Sequence, residues 1–278
     1  MAISKSCGVT DTEKLLASLC DRSFLKLWSY PNPINDERKE LCDILAVFEN
    51  HVFIFFDRNN LQLEDASKDI TLNWKRWKRK VIDAQVRTAN GVERYIRNNR
   101  KIFLDVELTV PLPIKIDVNS VVIHKIIVAH GAKEACLRHS NENTSGSLGI
   151  IYSDNSRDSI DNPFMVNINK NDPVHIFDSH NLPIIFEELN TLYDFKSYLE
   201  AKLDAIKKFD VLVYCGEEDL LANYFLNYDE EVKKHYIAIK QDDINGLLVE
   251  EGAWKDFICR DVYKEYGLIA RLPRNNPS

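Results

Sequence analysis

Two carboxylates stand out because their surroundings are apolar. Residues 39–58 read KELCDILAVFENHVFIFFDR. Branched and aromatic residues fill two runs, 41–48 and 52–56, around a polar break at Glu49, Asn50 and His51. The break is too short for anything but a hairpin. Asp43 lies inside the first run, and Asp57 closes the second, followed by Arg58. Aspartate is disfavoured in strands, and a buried one needs a hydrogen-bonding partner or a cation. Metal-assisted chemistry on a charged substrate is therefore the first chemistry to consider.

Register decides what these groups can do, because side chains alternate faces along a strand. A two-residue turn at Glu49-Asn50 places Asp43 opposite Phe56, with Arg58 on the same face and Asp57 on the other. A three-residue turn, Glu49-Asn50-His51, places Asp43 opposite Asp57, with Asn59 sharing their face. Two carboxylates side by side repel unless a cation lies between them. One or two carboxylates plus substrate phosphate is a common set for Mg²⁺.

The flanking elements are helical. Thr10-Asp11-Thr12-Glu13 is a capping box opening a helix to about Tyr30, ended by Pro31 and Pro33. Capping alone accounts for Glu13, with a further acid for a metal site as the rival reading. A polar link over 59–69 leads to a helix over 71–97. There Trp74, Trp77, Val81, Ala84, Gln85, Ala89, Val92 and Ile96 recur at three- and four-residue spacing. Gln85 on that apolar stripe needs hydrogen-bonding partners. Lys75, Arg76, Lys78, Arg79 and Lys80 flank it and either grip phosphates or form a solvated face. Residues 71–101 carry ten Lys/Arg against Asp83 and Glu93. That is +8 locally in a chain of net charge −7, leaving −15 elsewhere. Such asymmetry suggests one face for a polyanion and another for a different partner.

A helix, an acid-bearing hairpin, a basic residue, a long helix carrying Gln85 and a further strand resemble the PD-(D/E)xK nuclease superfamily over roughly residues 10–130. The resemblance implies a restriction-endonuclease-like core, an α/β fold with a mixed sheet flanked by helices. It implies a nuclease in which Asp43 and Asp57 hold Mg²⁺ or Mn²⁺, Arg58 acts as an electrostatic clamp and Gln85 orients a site group. No lysine occupies the expected place beside the second acid, in either register. Arg58 is a poor base because it stays protonated. A catalytically inactive nuclease-fold module is therefore the alternative. It would bind nucleic acid, with DNA the expected form, or a protein partner in a multi-protein assembly such as a bacterial antiphage system.

The remainder adds rivals and exclusions. Residues 101–110 read as a strand with Asp105 and Glu107 on one face, more simply a solvent-facing edge. Residues 121–129 form a strongly apolar strand containing His124, and His130-Gly131 ends it. Residues 140–161 are rich in Ser, Asn, Asp and Gly, with one short strand at 148–152. They mark the expected boundary between a core domain over 1–139 and an acidic α/β unit over 162–278. That unit is expected to hold strands at 173–177 and 182–186, a helix over 187–209, a strand over 209–215 and a helix from Glu217. Its acidic surface suits a protein partner. His175, Asp178 and His180 have ligand-like spacing but no second half-site. The tail, 271–278, reads as disordered.

Composition is that of an ordinary globular protein, 45% apolar and 28% charged. No run is long and apolar enough to span a bilayer, and no signal peptide is visible, so a cytoplasmic location is expected. The six cysteines include no CxxC pair, and Cys20, Cys42, Cys136 and Cys215 read as reduced core residues. No Ser-His-Asp order, GxSxG, Walker loop, HExxH or Rossmann glycine pattern occurs.

Overall fold

In the computed structural model, residues 10–23, 28–58, 63, 69–139, 147–154, 162–238, 245–261 and 263–264 are described. Cys7, Asn59, the ends of the 140–161 segment and the 271–278 tail lie outside them. The protein is mixed α/β, with two mixed sheets and two short antiparallel ribbons among the described residues.

The N-terminal cap forms as expected: Glu13 N–H donates to Thr10 Oγ1 (3.1 Å) and Thr10 N–H to Glu13 Oε2 (3.2 Å). Helix α1, Asp11–Ser23, is shorter than its pattern suggested. Residues expected at its end instead form strand β1, Ser29–Pro31, which pairs antiparallel with β3, Ile44–Phe48. Strand β3 pairs antiparallel with β4, His51–Arg58, through the two-residue turn, with Phe48 opposite His51 and Ile44 opposite Phe55. Glu49 takes φ +53° in that turn. Strand β2, Ile34–Asn35, pairs with β5, Ile102–Phe103.

The long amphipathic helix forms as α2, Ile70–Lys78, and α3, Ala84–Arg97, joined without a break by a π-turn at Arg79–Asp83. Asp69 caps it, accepting from Leu72 N–H. The buried residues Trp77, Val81, Gln85 and Ala89 step by four three times running. In an ideal helix each such step drifts by ~40°, and the wider π-turn absorbs the drift.

Strand β6, Val122–Ala129, runs parallel beside β4, and β9, His175–Asp178, runs parallel beside β6. The first sheet therefore has the order β1-β3-β4-β6-β9. Strand β9 comes from beyond the expected boundary at 140–161, so the two halves of the chain share a sheet. The segment itself contributes β7, Gly149–Ser153, close to the short strand expected there. Strand β7 pairs with β8, Met165–Asn169, and with β10, Val211–Cys215. These strands and β13, Gly246–Val249, make the second sheet, β13-β10-β7-β8.

Helix α4 spans Lys133–His139. Residues 182–186, expected as a strand, belong to helix α5, Leu182–Glu188, with Pro183 in its first turn, where a missing N–H costs nothing. Helix α6, Leu192–Lys208, starts later than expected because Thr191 caps it, accepting from Asp194 N–H at 3.1 Å. It buries Phe195 and Leu199 against one face of the first sheet, where Phe195 meets Phe53 and Phe55. Helix α3 covers the opposite face, where Asn90 and Glu93 meet Lys125 of β6. Helix α7, Glu217–Leu226, follows β10 through Gly216 at φ +93°. A ribbon, β11 (Tyr228–Asp229) with β12 (Lys234–His235), and helix α8, Ala253–Ile258, complete the described chain.

The strand expected over 101–110 stops at Phe103. Asp105 instead ties a turn, accepting from Thr109 N–H (3.0 Å) and Val110 N–H (2.7 Å), and Leu108 takes φ +60°. This local bonding competes with a ladder, and the rival acid pair of Asp105 and Glu107 is spent on an exposed turn. Among the described residues, no helix is long and apolar enough to cross a membrane, and the five described cysteines are free thiols.

Candidate functional site at the end of the parallel strands

Strands β4, β6 and β9 are parallel, so Asp57, His130 and Asp178 arrive at the same edge of the sheet. The carboxyl ends of parallel strands are where open α/β sheets bind ligands. Asp57 is 4% exposed and pairs through Oδ1 with His130 Nε2. The rest of this edge is fixed through backbone bonds. His130 N–H donates to Arg58 O (3.3 Å), Ser179 N–H to Ala129 O (2.9 Å), and Trp77 Nε1–H to His130 O (3.0 Å). The long helix is thus tied to the site by an indole.

Asp43 reaches the same edge by a backbone irregularity. Strict continuation of the two-residue-turn register would set it opposite Phe56. Its N–H donates instead to Phe55 O (3.0 Å), although Phe55 is already the partner of Ile44. Strand β3 thus carries an extra residue here in the manner of a β-bulge, a device that re-aims a side chain. Asp43 Oδ2 accepts from Asp57 N–H at 2.6 Å. Neither simple register holds at Asp43: the turn is the two-residue one, yet the acid turns toward Asp57.

The charges of this edge are only partly compensated. Burial pushes the Asp43 carboxyl up to about 7; the Asp57 N–H opposes this, Glu40 and Glu13 reinforce it, and Arg58 counters them. Burial pushes Asp178 up to about 6, against the His180 N–H that bonds its Oδ1 at 2.9 Å. Asp57 Oδ2 and Asp178 Oδ2 are both buried without a hydrogen-bonding partner. Farther along, burial raises Glu218 to about 7; Ser147 Oγ donates to its Oε1 at 3.0 Å, and its Oε2 has no partner. Buried oxygens of this kind call for an absent donor or cation.

The expected residues are only partly brought together. Asp43 and Asp57 are adjacent through a backbone bond. Arg58 is exposed at the strand end and electrostatically close to Asp43. Gln85 is 5% exposed on α3, and its Oε1 has no partner. Trp74 and Trp77 are core residues, 1% and 0% exposed and stacked on each other at 5.2 Å, so they offer no platform to a ligand. Of the expected basic set, Lys78 turns to Asp83 (3.2 Å), while Lys75, Arg76, Arg79 and Lys80 are exposed. The sequence does not mark His130 or Glu40 as site residues, and it marks Asp178 only through the ligand-like spacing of His175, Asp178 and His180. The signal for His130 was its place after an apolar strand and before Gly131, which takes φ +84°.

The donor chemistry of Asp43 and Asp57 suits a hard cation, since one buried oxygen stands open and one carboxyl lacks counter-charge. Among the described residues, no three His, Cys, Asp or Glu side chains are grouped to hold a metal ion, including His175, Asp178 and His180. Any ion here would therefore need substrate oxygens to complete its shell. No known family, curated protein or solved structure matches this chain.

Proposed function

We propose that this protein binds nucleic acid on a nuclease-like core, with the exposed row of the α2–α3 helix as its grip. The observation that carries this reading is charge without internal partners. Arg76, Arg79, Lys80, Arg87 and Arg94 are exposed and form no ion pair among the described residues. Nearby acids are already engaged: Asp83 with Lys78, Glu93 with Lys125 and Arg97, Asp36 with Arg100. In a chain of net charge −7, such a row is suited to polyanion recognition. The order helix, hairpin, long helix, parallel strand supports the restriction-endonuclease-like reading of the core. Gel shift or anisotropy at low salt tests the function. Binding that weakens steeply with salt is expected, and absence of binding to every nucleic acid would overturn it.

A second reading adds hydrolysis, favoured by the open Asp57 oxygen beside the re-aimed Asp43. Asp43 and Asp57 would hold Mg²⁺ or Mn²⁺, which when bound supplies charge neutralisation at phosphate and an acidified water. The chain's own part is to orient these acids, Asp57 through His130 and Asp43 through the Asp57 N–H, and to present Arg58 to the backbone. Hydrolysis of DNA or RNA that requires the metal and is lost in Asp43→Ala supports this reading. Intact substrate under all metal conditions, with binding retained, leaves the inactive module. The acidic second half remains our proposed surface for a protein partner.

A further inference from the structure

Three consecutive acids open helix α7, and the fold uses them differently. Glu217 gives both oxygens to Lys202, Tyr198 and Tyr214. Asp219 accepts from Trp254 N–H (2.8 Å) and Gly252 N–H (2.9 Å). Glu218 is just as buried, yet only its Oε1 is held, by Ser147 Oγ, and its Oε2 has no hydrogen-bonding partner. The carboxylate folds back over Gly216. A Cβ at that position would stand 2.7 Å from Oε2, so only glycine, here at φ +93°, leaves the carboxylate its place.

Two further oxygens adjoin it. Burial raises the Glu218 carboxyl, and the Asn181 amide is among the groups that hold it down, so these two side chains meet. Asn181 is 2% exposed, and its Oδ1 has no partner. Its N–H donates to Asp178 O (3.1 Å), and Asp178, also 2% exposed, keeps Oδ2 without a partner. Burial and Glu251 raise the Cys136 and Cys215 thiols most. Asp178 adds to the first and Glu218 to the second, so both acids border the same thiol pair. The ensemble offers three buried acceptors and no donor to join them. An amide carbonyl cannot be neutralised by titration, so Asn181 in particular calls for a donor or a cation.

We propose that Asp178, Asn181 and Glu218 form a structural site for a hard divalent cation, Mg²⁺ or Ca²⁺, which ties the turn after β9 to the start of α7. Carboxylate and amide oxygens are the donors such ions prefer, and water completes the shell that three protein oxygens begin. The depth of these residues restricts the occupant to something small. The site is separate from the hairpin acids Asp43 and Asp57, and it holds whether or not the protein binds or cleaves nucleic acid.

The test is calorimetric titration of the chelator-stripped full chain with Mg²⁺, Ca²⁺ and Zn²⁺, paired with melting curves, without nucleic acid. Asp43→Ala serves as the background, so that the hairpin acids add no ion of their own. A single Mg²⁺ or Ca²⁺ per chain is expected to bind, and the two titrations show which. At about a hundred times Kd the melting temperature should rise by about 5 °C. Adding Asn181→Ala or Glu218→Gln should weaken binding at least ~10-fold and cancel the rise. Without metal, Glu218→Gln should melt no lower than its parent. Asn181→Ala changes no charge and carries the test should Glu218→Gln fail to fold. Absence of any bound ion would mean that a shared proton satisfies these oxygens, and would overturn the inference. Tighter binding of Zn²⁺ than of both hard ions, or affinity that both variants leave unchanged, would overturn it too. None of these results touches the nucleic-acid reading, which the binding assay tests by itself.

Discussion

Among the buried polar clusters of the described residues, two are built on opposite terms. Under α6, Lys202 and Glu217 are both 0% exposed and pair at 2.7 Å. Tyr198 and Tyr214 hydroxyls donate to the same carboxylate at 2.6 and 2.9 Å, and the Tyr214 ring lies 5.1 Å from the ammonium. Charge and hydrogen bonds close on themselves. At the edge of β4, β6 and β9, by contrast, three acids and one histidine leave two carboxylate oxygens without partners. A closed cluster needs nothing from outside and reads as part of the fold. An open one costs stability on its own and reads as a place prepared for a ligand.

The largest effect should come from opening the closed cluster. Lys202→Met leaves Glu217 buried without its ammonium and should cost about 3–5 kcal/mol in urea unfolding. The double change Lys202→Met, Glu217→Leu should recover most of that. A single variant of wild-type stability would show that the pair contributes nothing to the fold.

Next in size is an acid sensitivity on the α6 face of the first sheet. His51 Nδ1 and His124 Nε2 meet at 2.9 Å, and His175 lies 5.7 Å from His124 between ring centres. His51 faces Glu200, Lys196 and Glu49; His175 feels the charge of Lys202 on its own face and, through the sheet, that of Lys125 on the other. Burial holds all three imidazoles below the ordinary value of 6.5, His124 at about 3. The folded state therefore favours the neutral rings. Their stability is complete above 6.5 and drains as pH falls toward 3. Asp43, Asp178 and Glu218 have the opposite sign: their raised values penalise the fold progressively as pH rises from about 4, and the penalty is complete once pH passes 6 to 7. His124→Leu isolates the imidazole part. Between pH 6.5 and 4.5 the difference in stability between the variant and wild type should shift in the variant's favour by on the order of 2 kcal/mol, whatever the net slope of the wild type. An unchanged pH slope would contradict this.

A smaller effect is expected where the helix is tied to the open edge. Trp77→Phe keeps the ring stack but removes the N–H that donates to His130 O, at a cost of about 1 kcal/mol. Nucleic-acid affinity should fall with it if the helix and the edge act together. A stability loss with affinity unchanged would separate the two regions.

Much of this arrangement was legible in the chain, and the failures have physical causes. The hairpin and the amphipathic helix follow from side-chain patterns, which the core enforces. The pattern fits a two-residue and a three-residue turn equally, and only the pairing of Phe48 with His51 decides between them. Nor does the slip at Asp43 follow from the pattern, because it is a choice of backbone acceptor that leaves no mark in residue types. Residues 182–186 fit a strand and a helix equally, because a short apolar run has no period of its own and Pro183 suits a helix start as well as a strand end. Residues 101–110 alternate like a strand, but the Asp105 carboxylate offers the backbone a cheaper set of bonds. The Asp57–His130 pair joins residues 73 apart in the chain, and only the parallel pairing of β4 with β6 brings them together.

The central claim is that the open edge is not kept for stability. Asp43→Asn tests it most directly, since the amide oxygen can still accept from Asp57 N–H while the uncompensated charge is gone. Urea unfolding at pH 8 should show the variant more stable than wild type by about 1–3 kcal/mol, with the gain vanishing by pH 4. A variant less stable at pH 8 would mean that the carboxylate serves the fold, and the distinction between the two clusters would be lost.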